Sequence, residues 1–305
     1  MKVTLDLTAL REAGHIDQAE FDRLVRFAAQ STGSLAFNIL IGFGVVAVSG
    51  AALALVPHPV MAAVVGLSVA GAGIATLFAG SKQWQVLANI CLLAGMLMLA
   101  GGLVFLLEGS ALAFALVTLM LTATAVLTGS GLMAAFAVLA LGSALGARSG
   151  YFHATYMLRI DEPTLTIITF SAVALALYFI SRFERAALSH VAVIGARTAV
   201  VLVNFGFWIG SLWGDKLEFA ATAEPLRVPA TAFTIGWALA LIGVALWGVR
   251  ANRRWVVNVA TVFGAIHFYT QWFERLGATP VSVLIAGLLA LGLALGLRYF
   301  NKAAA

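Results

Sequence analysis

The chain is poor in charge. Of its 305 residues only 10% are Asp, Glu, Lys or Arg, where soluble domains carry roughly 25%. A soluble globule with so little polar surface would precipitate, so that class is set aside. Cysteine is nearly absent too. The single Cys91 lies inside an apolar run, with no partner for an intrachain disulfide or a thiolate metal site. No HExxH, Walker loop, GxSxG elbow or dinucleotide fingerprint occurs, so no catalytic residue, cofactor or metal is assigned. Haem held by two histidines would need both at one depth, and His190 and His267 fall at different depths of their runs. The N-terminus, MKVTLDLTALREAGHID, lacks the basic start, apolar middle and small-residue cleavage site of a signal peptide. Nothing is expected to be removed.

What the chain has in abundance is apolar sequence, 62% of it, with a mean hydropathy of +1.01. Runs of about 17 or more mostly apolar residues are long enough to cross the hydrocarbon of a bilayer as helices. They predict an all-α, polytopic transmembrane bundle of ten spans: 36–56, 60–79, 84–107, 111–128, 131–147, 164–181, 190–213, 229–249, 255–274 and 280–300. The fourth and fifth form a tight hairpin across Gly129, Ser130 and Gly131. The net charge of +5 does not point to nucleic acid, because the cations sit in short loops between apolar blocks. There they set orientation. With ten spans, twelve Lys and Arg fall on one side and five on the other (Arg148, Arg159, Lys216, Arg227 and Arg275). The basic side is cytoplasmic and holds both termini. An inverted repeat of five plus five spans is compatible with this count.

Residues 1–34 are the one long polar stretch and predict a cytoplasmic helical hairpin; residues 35–305 form the transmembrane domain. Asp17 with Glu20 reads as a capping box, and Phe21, Leu24, Val25 and Ala28 follow as an amphipathic stripe. A shorter helix precedes it, ending at Gly14, and Ser31, Thr32, Gly33 and Ser34 read as a hinge. Glycines at four-residue spacing (Gly142, Gly146 and Gly150; Gly206, Gly210 and Gly214; Gly292 and Gly296) suit close helix approach, within the chain or across a homodimer.

The N-terminal LTALREAGHIDQAEFDRLVRFAAQ and the late GVRANRRWVVNVATVFGAIHFYTQWFERLG together resemble a bacterial family of integral membrane proteins filed as a domain of unknown function. The resemblance implies a polytopic inner-membrane protein with a cytoplasmic N-terminal helical segment. It brings no activity and no site residues.

Polar side chains inside a span are costly and usually face the bundle interior or a wet cavity. In the seventh span, His190, Ile194, Arg197, Val201, Asn204, Trp208, Ser211 and Asp215 alternate spacings of four and three and form one seam. In the ninth, Val257, Ala260, Gly264, His267, Gln271 and Glu274 form another. Asn204 and Trp208 come out level with His267 and Gln271, while Arg197 lies about two turns in, near enough to Asn89 of the third span for a hydrogen bond. Arg197, Asn204, His267, Gln271, Glu274 and Asn89 are the candidate lining residues. Histidine is kept in view because its charge changes near neutral pH. The outer loop of Tyr151, Phe152, His153 and Tyr156 reads as an interfacial helix or a cap over an outward cavity.

The leading functional expectation is binding or passage of a small polar solute, ion or proton between spans seven and nine. The rival is a non-transporting assembly or scaffold subunit with a protein partner, and an enzyme acting on lipid lacks an acid–base pair. Membrane lipid is a partner in either case.

Overall fold

The computed structural model describes residues 7–80, 82–152, 155–183, 186–217 and 226–303. The fold is overwhelmingly helical. Among the described residues eleven α-helices run α1 Leu7–Glu12, α2 Gln18–Leu55, α3 Pro59–Ala79, α4 Gln85–Leu106, α5 Ala111–Thr128, α6 Gly131–Ala144, α7 Pro163–Ile180, α8 Ala186–Trp213, α9 Ala230–Arg250, α10 Arg254–Leu276 and α11 Pro280–Ala303. Two short antiparallel hairpins interrupt them, β1 Ala147–Phe152 with β2 Thr155–Ile160, and β3 Asp215–Leu217 with β4 Leu226–Val228.

A helix occupies each of the ten apolar runs, and seven of these helices are long and apolar enough to cross a membrane: the Phe37–Leu55 part of α2, α3, α4, α5, α7, the Leu188–Trp213 part of α8, and α9. The other three differ for identifiable reasons. With its 14 residues, α6 spans only about 21 Å at 1.5 Å per residue, short of the roughly 30 Å of hydrocarbon. For α11 only Pro280–Gly292 lies among the residues whose side chains are described, and that part alone is shorter than a full crossing. At 23 residues α10 is long enough, but its polar face and basic start lower its hydropathy.

Two further expectations change. The hinge at Ser31–Ser34 is instead interior to α2, which runs unbroken for 38 residues. One glycine costs a helix about 1 kcal/mol, too little to stop propagation between an amphipathic start and a long apolar run that are both helical. The polar segment is therefore joined to the first apolar span by continuous helix. The start does match the expected cap, since the Asp17 carboxylate accepts the Glu20 N–H at 2.6 Å. Arg11 closes the α1–α2 corner with its guanidinium 4.5 Å over the Phe21 ring. The outer loop is the second correction. Residues 147–152 and 155–160 pair as antiparallel strands, with Tyr151 opposite Tyr156, as suits a segment rich in β-prone aromatics, and not as an interfacial helix. His153 lies outside the described residues.

The chain divides into two compact units, Met1–Ala140 and Leu141–Ala305. In the first, α3 and α4 pack antiparallel, backbone against backbone. A Cβ on Gly66 would lie 2.5 Å from the Leu99 nitrogen, one on Gly73 2.6 Å from that of Leu92, and one on Gly102 2.8 Å from the Pro59 oxygen. Ala62, Ala70, Ala88 and Ala100 fill the seam between them. Buried Asn38 of α2 ties this pair down: its Nδ2 donates to the Gln83 carbonyl at 2.7 Å and its Oδ1 accepts the Leu87 N–H at 3.2 Å, capping α4 from outside.

In the second unit α7, α8, α9 and α10 pack in succession. Gly206 lets α7 approach α8, with Ile167 and the Pro163 carbonyl against it, and Gly210 faces the Phe233 ring of α9. That glycine face is thus used within the chain. Gly146 and Gly214 do not belong to it, since both adopt positive φ, 89° and 70°, and make turns. Asp215, buried just after α8, accepts the Thr164 N–H at 2.8 Å and so caps the first turn of α7.

Candidate functional site

The helices that carry the two polar seams touch, and a third helix packs against both. Phe205 and Phe263 touch edge to face with centroids 5.9 Å apart, and the Trp208 Nε1–H donates to the Thr270 hydroxyl at 3.0 Å. Nearer the start of both helices, the Arg197 guanidinium lies 5.0 Å over Trp255. These contacts follow the same order along both helices, so α8 and α10 run parallel. The level match of Trp208 with the His267–Gln271 stretch holds.

Antiparallel to both, α9 supplies Trp237 and Thr234. Trp237 is fully buried, and its Nε1–H donates to Asn204 Oδ1 at 2.9 Å. Asn204 is itself buried and spends its Nδ2 on the Val200 carbonyl at 2.8 Å. On the other side the Trp237 ring meets the His267 ring edge to face, centroids 5.0 Å apart. His267 Nε2 sits 3.0 Å from the Thr234 carbonyl. A carbonyl only accepts, so Nε2 carries the proton and a neutral His267 keeps its lone pair on Nδ1. The Thr234 hydroxyl returns to the Ala230 carbonyl at 3.1 Å. An indole, an amide and an imidazole thus bridge three helices through fixed hydrogen bonds, and the imidazole retains one nitrogen for other use.

One group in the seam is unsatisfied. Gln271, four residues beyond His267 and on the same face, has its Nε2 buried without a hydrogen-bond partner. A buried donor left unpaired costs about 1–3 kcal/mol. Among the sequence-derived candidates, Asn204 and His267 therefore belong to this cluster, and Gln271 lies one turn beyond His267 on the same helix. Glu274 lies beyond it and is exposed near the end of α10. Two others lie outside it. Arg197 is exposed and lies against Trp255 of the first turn of α10. Asn89 is exposed on α4 of the first unit.

Thr234, Trp237 and Thr270 complete the cluster and escape the sequence reading, since Thr and Trp are ordinary in apolar spans. The one available signal is depth. Trp237 lies eight positions into α9, away from the interfacial belt where tryptophans concentrate. Among the described residues no three His, Cys, Asp or Glu come together as metal ligands. Comparison with protein-family models, with curated proteins and with solved structures finds no match to this chain.

Proposed function

We propose that the chain is a multi-pass protein of a bacterial inner membrane, with ten crossings and both termini cytoplasmic, that binds or passes a small polar solute, ion or proton along the α8–α9–α10 cluster. The unpaired Gln271 Nε2 carries this reading. Evolution of a stable apolar bundle has no reason to hold a buried donor open one turn from a histidine with a free lone pair. An acceptor atom arriving there, from water or a solute, removes the desolvation penalty.

Two properties of the cluster shape the mechanism. The Thr234 carbonyl fixes the imidazole orientation, so any proton that His267 gains goes to Nδ1. The Trp237 indole fills the space between Asn204 and His267, so a solute reaching Gln271 approaches along α10 and not through the middle of the cluster. Reconstituted in liposomes, the protein is expected to conduct, and His267→Ala to lower the flux about ten-fold, the equivalent of one hydrogen bond. His267→Gln keeps a donor for the Thr234 carbonyl but cannot relay a proton. It should therefore spare solute flux and abolish proton flux.

A second reading, an assembly subunit, is favoured by Trp237 itself. Its bond to Asn204 and its contact with His267 also serve simply to clamp three helices. Liposomes as tight as empty ones, with both variants folded, would decide for the clamp.

A further inference from the structure

Five arginines of the second unit gather at one end. Arg182 follows α7, Arg250 closes α9, Arg253 and Arg254 open α10, and Arg197 reaches the same level from α8. All five are exposed. Contacts join the helix ends that carry them: Tyr178 of α7 meets Trp247 of α9 edge on, centroids 6.5 Å apart, and a Cβ on Gly248 would touch Val256 and Val257 of α10. Arg182 lies 5.0 Å over the Tyr178 ring and donates to its hydroxyl.

The α9–α10 turn is rigid. The Arg253 N–H returns to the Gly248 carbonyl at 2.8 Å, the Ala251 N–H to Trp247 at 2.8 Å, and Asn252 takes the left-handed conformation with φ 50°. Arg250, Arg253 and Arg254 are therefore presented together on a fixed loop. No described acidic residue of this unit shares the end. Asp161 and Glu162 precede α7, Asp215 follows α8, and Glu274 ends α10, all at the far end, while Glu184 lies outside the described residues.

Beside the arginines the surface is apolar. Phe179 and Phe183 are each 65% exposed and Val249 67%. Cations above and greasy side chains below match an amphiphile with an anionic head. We infer that this end of the second unit binds an anionic phospholipid through its headgroup phosphate. Guanidinium forks match phosphate oxygens two at a time. The Trp255 and Tyr178 rings hold two of those guanidinium groups in place. A soluble anion would satisfy the arginines but leave the phenylalanines and Val249 uncovered. The inference rests on the membrane placement proposed above and not on passage of a solute, so its failure leaves the flux question untouched.

Native mass spectrometry of the full chain, released from nanodiscs of phosphatidylglycerol mixed with phosphatidylcholine, tests it. Phosphatidylglycerol should be retained selectively and lost as ionic strength rises. Arg253→Gln with Arg254→Gln should weaken retention about 25-fold, near five-fold for each cation removed. The corresponding Lys pair should restore part of it, and Arg275→Gln at the far end should change nothing. Equal retention of both lipids, retention indifferent to salt, or displacement of the lipid by millimolar inorganic phosphate would each overturn the assignment. The salt and phosphate arms use the unmodified protein, so a double variant that fails to fold does not protect the idea.

Discussion

Replacing Trp237 with Ala is expected to destabilise the second unit by about 3–5 kcal/mol, the range for emptying a well-packed core of a large aromatic. Trp237 is the largest fully buried side chain among the described residues and touches both halves of the polar cluster. Its removal opens a cavity between α8 and α10, strands Asn204 Oδ1 and takes away the edge contact to His267. Trp237→Phe separates these losses. It keeps most of the volume and costs about 1–3 kcal/mol for the unpaired amide oxygen alone. Thermal and denaturant unfolding of the detergent-solubilised protein measures both. Equal stability of the Ala variant and the parent would mean that Trp237 does not bridge the three helices.

The second large effect belongs to the first unit. A Cβ at Gly95 would collide with the backbone nitrogen of Ala70 and lie 2.6 Å from the Gly66 carbonyl oxygen. Backbone atoms cannot rotate aside, so Gly95→Val must push α3 and α4 apart along much of their length. Overpacking against mobile side chains costs about 1–3 kcal/mol; here the upper end or beyond is expected, with loss of the folded unit. Gly101→Val, one residue before another contact glycine but facing open space, provides the control and should cost about 1 kcal/mol or less, since β-branched residues are only mildly unfavourable in helices. Comparable expression and melting of the two variants would contradict the close α3–α4 packing.

The helices were legible in the sequence because length and apolarity determine which segments can cross a bilayer, and neither depends on tertiary contacts. Helix ends were legible where chemistry is local, as at Asp17 with Glu20 and at Gly129, which closes α5 with φ 67°. The break expected at Ser31–Ser34 failed because turn-prone residues bias a chain only weakly once helices on both sides propagate through them. The strands at 147–152 and 155–160 were not legible because Tyr151, Phe152 and Tyr156 suit an interfacial helix as readily as a strand. For the cluster, helical periodicity put Asn204 on one seam and His267 and Gln271 on another, but it could not place α9 against both, since packing order is not written in any one helix. The glycines of α3 and α4 did leave a trace. Gly66 and Gly73, then Gly95 and Gly102, recur at seven-residue spacing in adjacent runs, a pattern that a search at four-residue spacing passes over.

Substituted-cysteine labelling tests the proposed function most directly, and the single native thiol makes it clean. In a Cys91→Ser background, a cysteine at Gln271 should react in sealed vesicles with a small charged thiol reagent, because polar solutes reach that face of α10. A cysteine at Val262, 58% exposed on the apolar surface of the same helix, should not. Reaction at neither position would contradict the account, for then the unpaired donor of Gln271 is closed to water and the cluster is a dry clamp.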